Sequence, residues 1–207
     1  MNVAVVGAGA VGTSVIELAG EYGHNVVAVA DSSTGVVDEG GLDSDAVLSR
    51  KRTQGTVGDG TPDDVLEADY DALVEATPTT LGDAEPGFSH VSRALSRDRH
   101  VVLANKGPVA ERYDEIRALE ADSGGDVLFE AAVGGAIPIL STIDDLNGQV
   151  TAARGVLNGT ANFVLSRMAA EGLGYEHVLA SVRSASEALI RRSTSLILIP
   201  TRSNYTP

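Results

Sequence analysis

The chain has 207 residues, enough for one complete domain and part of a second. Its net charge of −14 argues against a nucleic-acid partner, because phosphate contacts need basic patches. The absence of cysteine excludes disulfides, thiolate metal sites and cysteine nucleophiles. No run approaches the ~20 apolar residues that a membrane helix needs, so we expect a cytoplasmic protein without a membrane partner.

Strand and helix patterns alternate through the first 129 residues. The predicted strands are Asn2–Val6, Val26–Ala30, Ala72–Glu75, His100–Leu103 and Val127–Phe129. Helical spacing predicts helices near residues 11–19, 46–48, 88–95 and 109–121, and a Gly- and Asp-rich loop follows residue 31. This alternation predicts an α/β fold with a doubly wound parallel sheet and right-handed crossovers.

A glycine motif joins the first strand to the first helix, and a carboxylate ends the second strand. The motif is Gly7-x-Gly9-x-x-Gly12, and Asp31 follows it by nineteen residues. Glycines there allow close approach to a pyrophosphate, and the carboxylate accepts hydrogen bonds from the adenosine ribose. The pattern predicts a Rossmann domain over residues 1–129 that binds NAD or NADP through Gly7, Gly9, Ala10, Val11, Gly12 and Asp31.

The cofactor preference is open at this point. Asp31 favours NAD, because a carboxylate at this position suits a free ribose hydroxyl. The basic run Arg50–Arg52 offers charges that suit a 2′-phosphate, and the alternative is that it forms a solvated helix face.

Lys106 is one of only two lysines in a chain that has thirteen arginines. This scarcity of lysine and the acid excess are typical of proteins from a salt-rich cytoplasm, where ions screen self-repulsion. Lys106 lies between the strand His100–Leu103 and a helix led by Pro108, where ligands of open α/β sheets bind. We therefore expect Lys106 to be a catalytic and cofactor-contacting residue, with a solvated surface lysine as the alternative.

Three further segments have the character of sites. Thr77 and Pro78 follow the strand that ends at Glu75, where a nicotinamide ribose would lie, or Thr79 or Thr80 caps the next helix. The segment Glu130–Pro138 combines a carboxylate, two glycines and a helix start, which suits an ion site, or it is a glycine-rich linker. The turn around Asn158, Gly159 and Thr160 suits a polar substrate, or it is a helix cap.

Taken together, the ordered motifs resemble those of the homoserine dehydrogenase family over about residues 1–180. The segments that carry the resemblance are Gly7–Gly12, Glu75–Thr80, His100–Pro108, Glu130–Pro138 and Val156–Phe163. The resemblance implies NAD(P)-dependent interconversion of L-homoserine and L-aspartate 4-semialdehyde, a homodimer, and Lys106 near the nicotinamide. It also implies a structural monovalent cation, typically sodium, held by Glu130 and by the main-chain carbonyls of Val133, Gly135 and Ile137, which suits the preference of hard cations for oxygen. Residues 130–180 would then begin the α/β substrate domain.

The chain departs from this family pattern after residue 180. Family members continue through a Gly-x-Ala-Glu-x-Asp-Pro string to acidic substrate ligands and a second lysine, whereas no lysine follows Lys106 here. Residues 181–207 contain one acid, four arginines and nine Ser or Thr, although the whole chain is strongly acidic. We expect this tail to be the product of a shifted reading frame and the chain to be an impaired enzyme. A non-catalytic NAD-binding module and an aspartate-type dehydrogenase are the alternatives.

Overall fold

The computed structural model describes residues 1–135, 137–147, 149–152, 155 and 159–181. Within them, the chain forms two compact units, of which the first is Met1–Val150 and the second begins at Thr151. The predicted boundary between the cofactor-binding and substrate domains, at residues 129 and 130, stays a prediction. Most of the tail that we assigned to residues 181–207 lies outside the described residues.

The first unit is built on a six-stranded sheet. Its strands are β1 (Asn2–Val6), β2 (Asn25–Ala30), β3 (Gly35–Val37), β4 (Ala72–Glu75), β5 (His100–Leu103) and β6 (Val127–Leu128). They lie in the order β3-β2-β1-β4-β5-β6, and all neighbours are parallel except β2 and β3. The predicted doubly wound α/β fold is thus confirmed.

The helices of this unit are α1 (Ala10–Leu18), α2 (Ser44–Gln54), α3 (Pro62–Glu67), α4 (Gly87–Leu95), α5 (Gly107–Ala121), α6 (Glu130–Val133) and α7 (Ile139–Asp145). A core on one face of the sheet includes Leu73 and Leu103, packed with residues of α3, α4 and α5. A core on the other includes Val5 and Val29, packed with residues of α1 and α2. Continuous Val- and Ala-rich strands suit a sheet that is buried on both faces.

The antiparallel strand β3 corrects the prediction of a purely parallel sheet. Asp31 accepts hydrogen bonds at Oδ1 from the backbone N–H groups of Ser33 (2.9 Å) and Thr34 (2.7 Å). The Asp31 N–H in turn donates to the Thr34 carbonyl, so the chain reverses and Gly35–Val37 returns beside β2. Asp and Ser are favoured in such turns, and the Asp31–Gly35 segment carried that signal.

Helix α3 was also absent from the sequence prediction. Thr61 precedes Pro62, and Asp64 lies three residues after Thr61; their side chains and backbone N–H groups form a reciprocal capping box. This Thr-Pro-x-Asp signature was readable in the sequence.

The second unit is mainly helical where it is described. Helix α8 (Gly159–Glu171) is followed by a helical segment at residues 175–181. Arg167 of α8 pairs with Glu171 (2.7 Å), one helical turn later. None of the helices in the described part of the chain is long and apolar enough to cross a membrane.

Candidate cofactor site

The three motif glycines have different surroundings at the turn between β1 and α1. Gly7 has φ +103°, and a Cβ there would lie 2.5 Å from the backbone carbonyl of Ala76. A Cβ on Gly12 would lie 1.8 Å from the Gly7 oxygen. A Cβ on Gly9, in contrast, would have no neighbouring atom within 4 Å, and Gly9 precedes α1 as its N-cap. Gly7 and Gly12 therefore serve packing, whereas Gly9 leaves open space.

The open space lies at the start of α1. Ala10 and Val11 are exposed in the first turn, and no side chain caps the helix. The first N–H groups of a helix have no partners within the helix and favour negative charge. This helix start can therefore accept a phosphate, and the role of Ala10 and Val11 in cofactor binding stays a prediction.

Asp31 is buried at the end of β2 and pairs with Lys51. Its Oδ2 atom accepts a hydrogen bond from the Lys51 ammonium at 2.8 Å. Burial raises the pKa of Asp31, but the hydrogen bonds from Lys51 and from the backbone of Ser33 and Thr34 outweigh burial and hold the pKa well below its ordinary value. The carboxylate is therefore ionised and already partly neutralised before any ribose arrives.

The three basic residues of α2 consequently differ in their contacts. Lys51 reaches Asp31 and also donates to the Gly55 carbonyl (2.8 Å). Arg50 pairs with Asp59, and Arg52 is exposed. Only Lys51 of this run is thus placed beside the predicted adenosine ribose position, a contact that the sequence left open.

A hydrogen-bonded network links the loop after β4 to the loop after β5. Asn105 is buried, and its Nδ2 donates to Thr77 Oγ1 (3.1 Å) while its Oδ1 accepts from the Gly107 N–H (2.9 Å). Thr77 also donates from its hydroxyl to Glu75 Oε1. Thr77 is thus tied to both loops, while Pro78 beside it is exposed. The alternative that Thr79 or Thr80 caps α4 is wrong, because α4 begins only at Gly87.

Lys106 lies in the second of these loops and is exposed. Its backbone N–H donates to Thr79 Oγ1 (3.4 Å), and it precedes α5 as the N-cap residue. Within the described part of the chain its ammonium forms no ion pair, unlike that of Lys51. The loops of Thr77 and Lys106 follow adjacent parallel strands, so both residues lie at the same end of the sheet.

Sequence reasoning missed three members of the network. Glu75 is fully buried, Asn105 is 1% exposed, and His90 Nδ1 lies 3.4 Å from Glu75 Oε1. For Glu75 and Asn105, the only sequence signal was a polar residue at or just after the end of an apolar strand. For His90, a single histidine within a predicted helix gave no signal.

Glu130 binds the start of helix α7. Its Oε1 accepts from the N–H groups of Ile139 (2.7 Å) and Leu140 (2.9 Å), and its Oε2 accepts from that of Ser141 (2.9 Å). Hydrogen bonds from the backbone of Ser141 and Leu140 lower the pKa of Glu130 below its ordinary value. The alternative interpretation of Glu130–Pro138 as a glycine-rich linker therefore does not describe this segment.

The predicted cation ligands have a mixed fit. Val133, Gly135 and Ile137 are exposed, and carbonyl oxygens suit a hard cation. Glu130, however, already accepts three backbone N–H groups, and the Ile137 carbonyl accepts the N–H of Ile139 (2.9 Å). The donor set thus fits a cation only in part, and the cation stays a prediction.

The predicted substrate residues lie in the second unit. Asn158 lies outside the described residues, while Gly159 and Thr160 are the first residues of α8. A helix thus begins at this turn, and the role of these three residues stays a prediction.

A glycine turn between β1 and α1, with a carboxylate ending the neighbouring strand, defines a dinucleotide-binding protein of the Rossmann class. Residues 1–80 match the family model described as glutamate/leucine/phenylalanine/valine dehydrogenase. Residues 138–188 match the family model of homoserine dehydrogenase.

The chain is homologous to homoserine dehydrogenases over most of its length. It is 34% identical to the homoserine dehydrogenase of Methanocaldococcus jannaschii, over 86% of this chain and 59% of the relative. It is 30% identical to the NAD(+)-dependent homoserine dehydrogenase of Pseudomonas canavaninivorans, over 90% of this chain and 59% of the relative. A solved structure from Archaeoglobus fulgidus, described as a homoserine dehydrogenase, matches with a TM-score of 0.74 at 30% identity, over 90% of this chain and 60% of that one. The chain thus spans about three fifths of the length of these relatives.

Proposed function

We propose that this chain is an NAD(P)-dependent homoserine dehydrogenase, with the cofactor-binding domain and the start of the substrate domain, which interconverts L-homoserine and L-aspartate 4-semialdehyde and is impaired as it stands. The observation that carries the proposal is the convergence of the Gly7–Gly12, Ala76–Thr80 and Asn105–Pro108 loops at the carboxyl end of the sheet. Similarity to homoserine dehydrogenases supports the choice of substrate and a place in threonine and methionine biosynthesis.

The strand order supports a direction for the cofactor. Dinucleotides bind across the point where the strand order reverses, which here lies between β1 and β4. Asp31 and Lys51 lie on the β2 side of that point, so they would hold the adenosine ribose. The nicotinamide would then lie on the β4 and β5 side, near Thr77 and Lys106.

The residues of the chain divide the chemical work accordingly. A bound nicotinamide would supply or accept the hydride at the carbon of the substrate. The start of α1 would bind the pyrophosphate through unpartnered N–H groups. The exposed ammonium of Lys106 would lie near the nicotinamide and the reacting carbonyl, where it could take part in acid–base chemistry at the aldehyde oxygen.

Two measurements test this function. A calorimetric titration with NADH tests the cofactor site in the 207-residue chain. Homoserine-dependent NAD(P)H formation, followed at the nicotinamide absorbance, tests the reaction in a version extended to the length of the relatives. Binding without turnover in both versions would support the non-catalytic module instead, and turnover of aspartate but not homoserine would support the aspartate-type dehydrogenase.

Lys106 provides the sharpest variant in the extended version. Replacing Lys106 with Ala should lower kcat by about 10²–10⁴-fold, the usual worth of an acid–base group. The matched control is Arg52→Ala, which removes an exposed cation from α2. If the Lys106→Ala enzyme keeps most of its turnover, Lys106 is a solvated surface lysine without a catalytic role.

We also propose that a monovalent cation binds the segment from Glu130 to Ile137. The exposed positions of Val133 and Gly135 support it, and the engagement of Glu130 by α7 and of the Ile137 carbonyl by Ile139 weighs against it. If a cation binds there, the thermal midpoint should rise with sodium and not with tetramethylammonium at equal ionic strength. Equal thermal midpoints in both salts would contradict a cation site in this segment.

A further inference from the structure

Glu75 is a polar residue at a position where packing alone does not need one. Its side chain is fully buried at the end of β4, among the apolar residues of the sheet. Burying a carboxylate costs several kcal/mol unless partners compensate, and an apolar residue in its place would avoid that cost. Moreover, its Oε2 atom has no hydrogen-bond partner in the described part of the chain. A residue this costly to bury calls for a role other than packing.

The other carboxylate oxygen is the end point of a directed chain of hydrogen bonds. The Gly107 N–H can only donate, so the side-chain oxygen of Asn105 must face it and the Asn105 NH₂ must face Thr77. Thr77 Oγ1 therefore accepts from Asn105, and its own hydroxyl proton is directed to Glu75 Oε1. Every bond in the chain thus runs in one direction, from the Gly107 N–H to Glu75 Oε1.

This chain holds both residues on either side of Lys106. Asn105 is held by Thr77 and by its bond to Gly107, and Gly107 begins α5. Gly107 is further confined by the opposite loop, because a Cβ there would lie 2.2 Å from the Thr80 carbonyl oxygen. The backbone of Lys106 has little freedom between two such anchors, although its side chain is exposed.

We propose that Glu75 is a positioning residue that orients Thr77 and Lys106 toward the nicotinamide half of the cofactor through the Glu75–Thr77–Asn105–Gly107 chain. The inference rests on the proposed function, because it requires a dinucleotide that places its nicotinamide beside β4 and β5. Glu75 touches neither the cofactor nor the substrate in this account. His90, whose Nδ1 lies 3.4 Å from Glu75 Oε1, supports the carboxylate from α4.

Two ligands separate positioning from general stability. ADP contains the adenosine ribose and the pyrophosphate but lacks the nicotinamide and its ribose, so it reports on the Gly7–Gly12 and Asp31 side alone. Replacing Glu75 with Leu should weaken the binding of NADH by about three- to tenfold, the span of one net hydrogen bond, and leave the binding of ADP within about twofold. Glu75→Gln should restore most of the NADH affinity, since its amide oxygen can still accept from Thr77.

The scarcity of lysine provides a direct spectroscopic readout of Lys106. Reductive methylation with ¹³C-formaldehyde labels only two lysine side chains, Lys51 and Lys106, besides the terminal amine, and it preserves their charge. In the unmutated protein, NADH should shift both lysine signals, whereas ADP should shift the Lys51 signal alone. In Glu75→Leu, the response of Lys106 to NADH should be lost and that of Lys51 retained.

The outcomes are distinguishable. If the unmutated protein binds neither ligand, the proposed function fails. If it binds NADH and Glu75→Leu weakens both ligands equally, or leaves both unchanged, the positioning role is overturned. Should Glu75→Leu fail to fold, Thr77→Val breaks the same chain with Glu75 in place. Thr77→Val must then lose affinity for NADH selectively, and its Lys106 signal must not shift when NADH is added. A normal shift of the Lys106 signal in that variant overturns the inference.

Discussion

Gly9 is the residue at which the cofactor assignment can be tested with least harm to the fold. It has open space around its Cβ position and a φ of −85°, which any residue can adopt. Gly9→Leu should therefore fold normally but obstruct the pyrophosphate, weakening NADH by more than tenfold, or about 1.4 kcal/mol. Calorimetric titration measures the change. Gly20→Leu is the matched control, since Gly20 also has open space, and unchanged NADH affinity in Gly9→Leu would remove the cofactor assignment.

Lys51 is the residue that should set the choice between NADH and NADPH. Its ammonium lies 2.8 Å from Asp31, where it offsets the repulsion between that carboxylate and a 2′-phosphate. Lys51→Met should weaken NADPH relative to NADH by about tenfold, because a charge-assisted contact is lost. Competition titrations with both cofactors measure the ratio. Arg52→Met, on the same helix but exposed, should leave the ratio unchanged, and an equal effect of the two variants would contradict a specific contact.

At the scale of elements, Glu130 should make the attachment of α7 dependent on pH. Backbone hydrogen bonds lower its folded-state pKa, so its contribution to stability is complete above the ordinary pKa of 4.5. That contribution is lost as the pH falls through the lowered folded-state value. The stability difference between the unmutated protein and Glu130→Gln, from urea unfolding, should therefore shrink as the pH is lowered below 4.5. Asp145→Asn, at the end of α7, serves as the control. A stability difference for Glu130→Gln that does not change with pH would show that the ionised carboxylate does not anchor α7.

The elements that could be predicted from the sequence are those with strong periodicity. The apolar runs Ala72–Glu75 and His100–Leu103 predicted β4 and β5 with their observed bounds, because buried parallel strands are uniformly apolar. The strand β3 and the helix α3 were missed, since three- and six-residue elements are too short for a period and depend on turn and cap chemistry.

The site shows a similar division. The Gly7–Gly12 turn and the position of Lys106 were predicted from local motifs, because these motifs depend on residues that are neighbours in sequence. The pairing of Asp31 with Lys51 and the link from Glu75 to Asn105 join residues at least twenty positions apart. Such contacts depend on strand order and loop geometry, which a motif does not encode.

At the scale of the whole molecule, the tail should decide whether the chain turns over substrate. No lysine follows Lys106, and the composition becomes basic after residue 180. We expect the 207-residue chain to bind NADH without measurable homoserine oxidation. Resequencing the gene should show that a shifted reading frame after residue 180 continues into acidic, lysine-bearing sequence. Turnover by the present chain, or a gene without such a frame, would make the tail a genuine part of the protein.

The close approach of Gly7 to the Ala76 carbonyl has a consequence for the speed of cofactor binding. Backbone atoms of the two loops are in contact, so neither loop can move far without the other. The cleft between them is therefore assembled before the ligand arrives, and no slow ordering step should follow the encounter. In a stopped-flow experiment, the observed rate should rise linearly with NADH concentration, without a plateau.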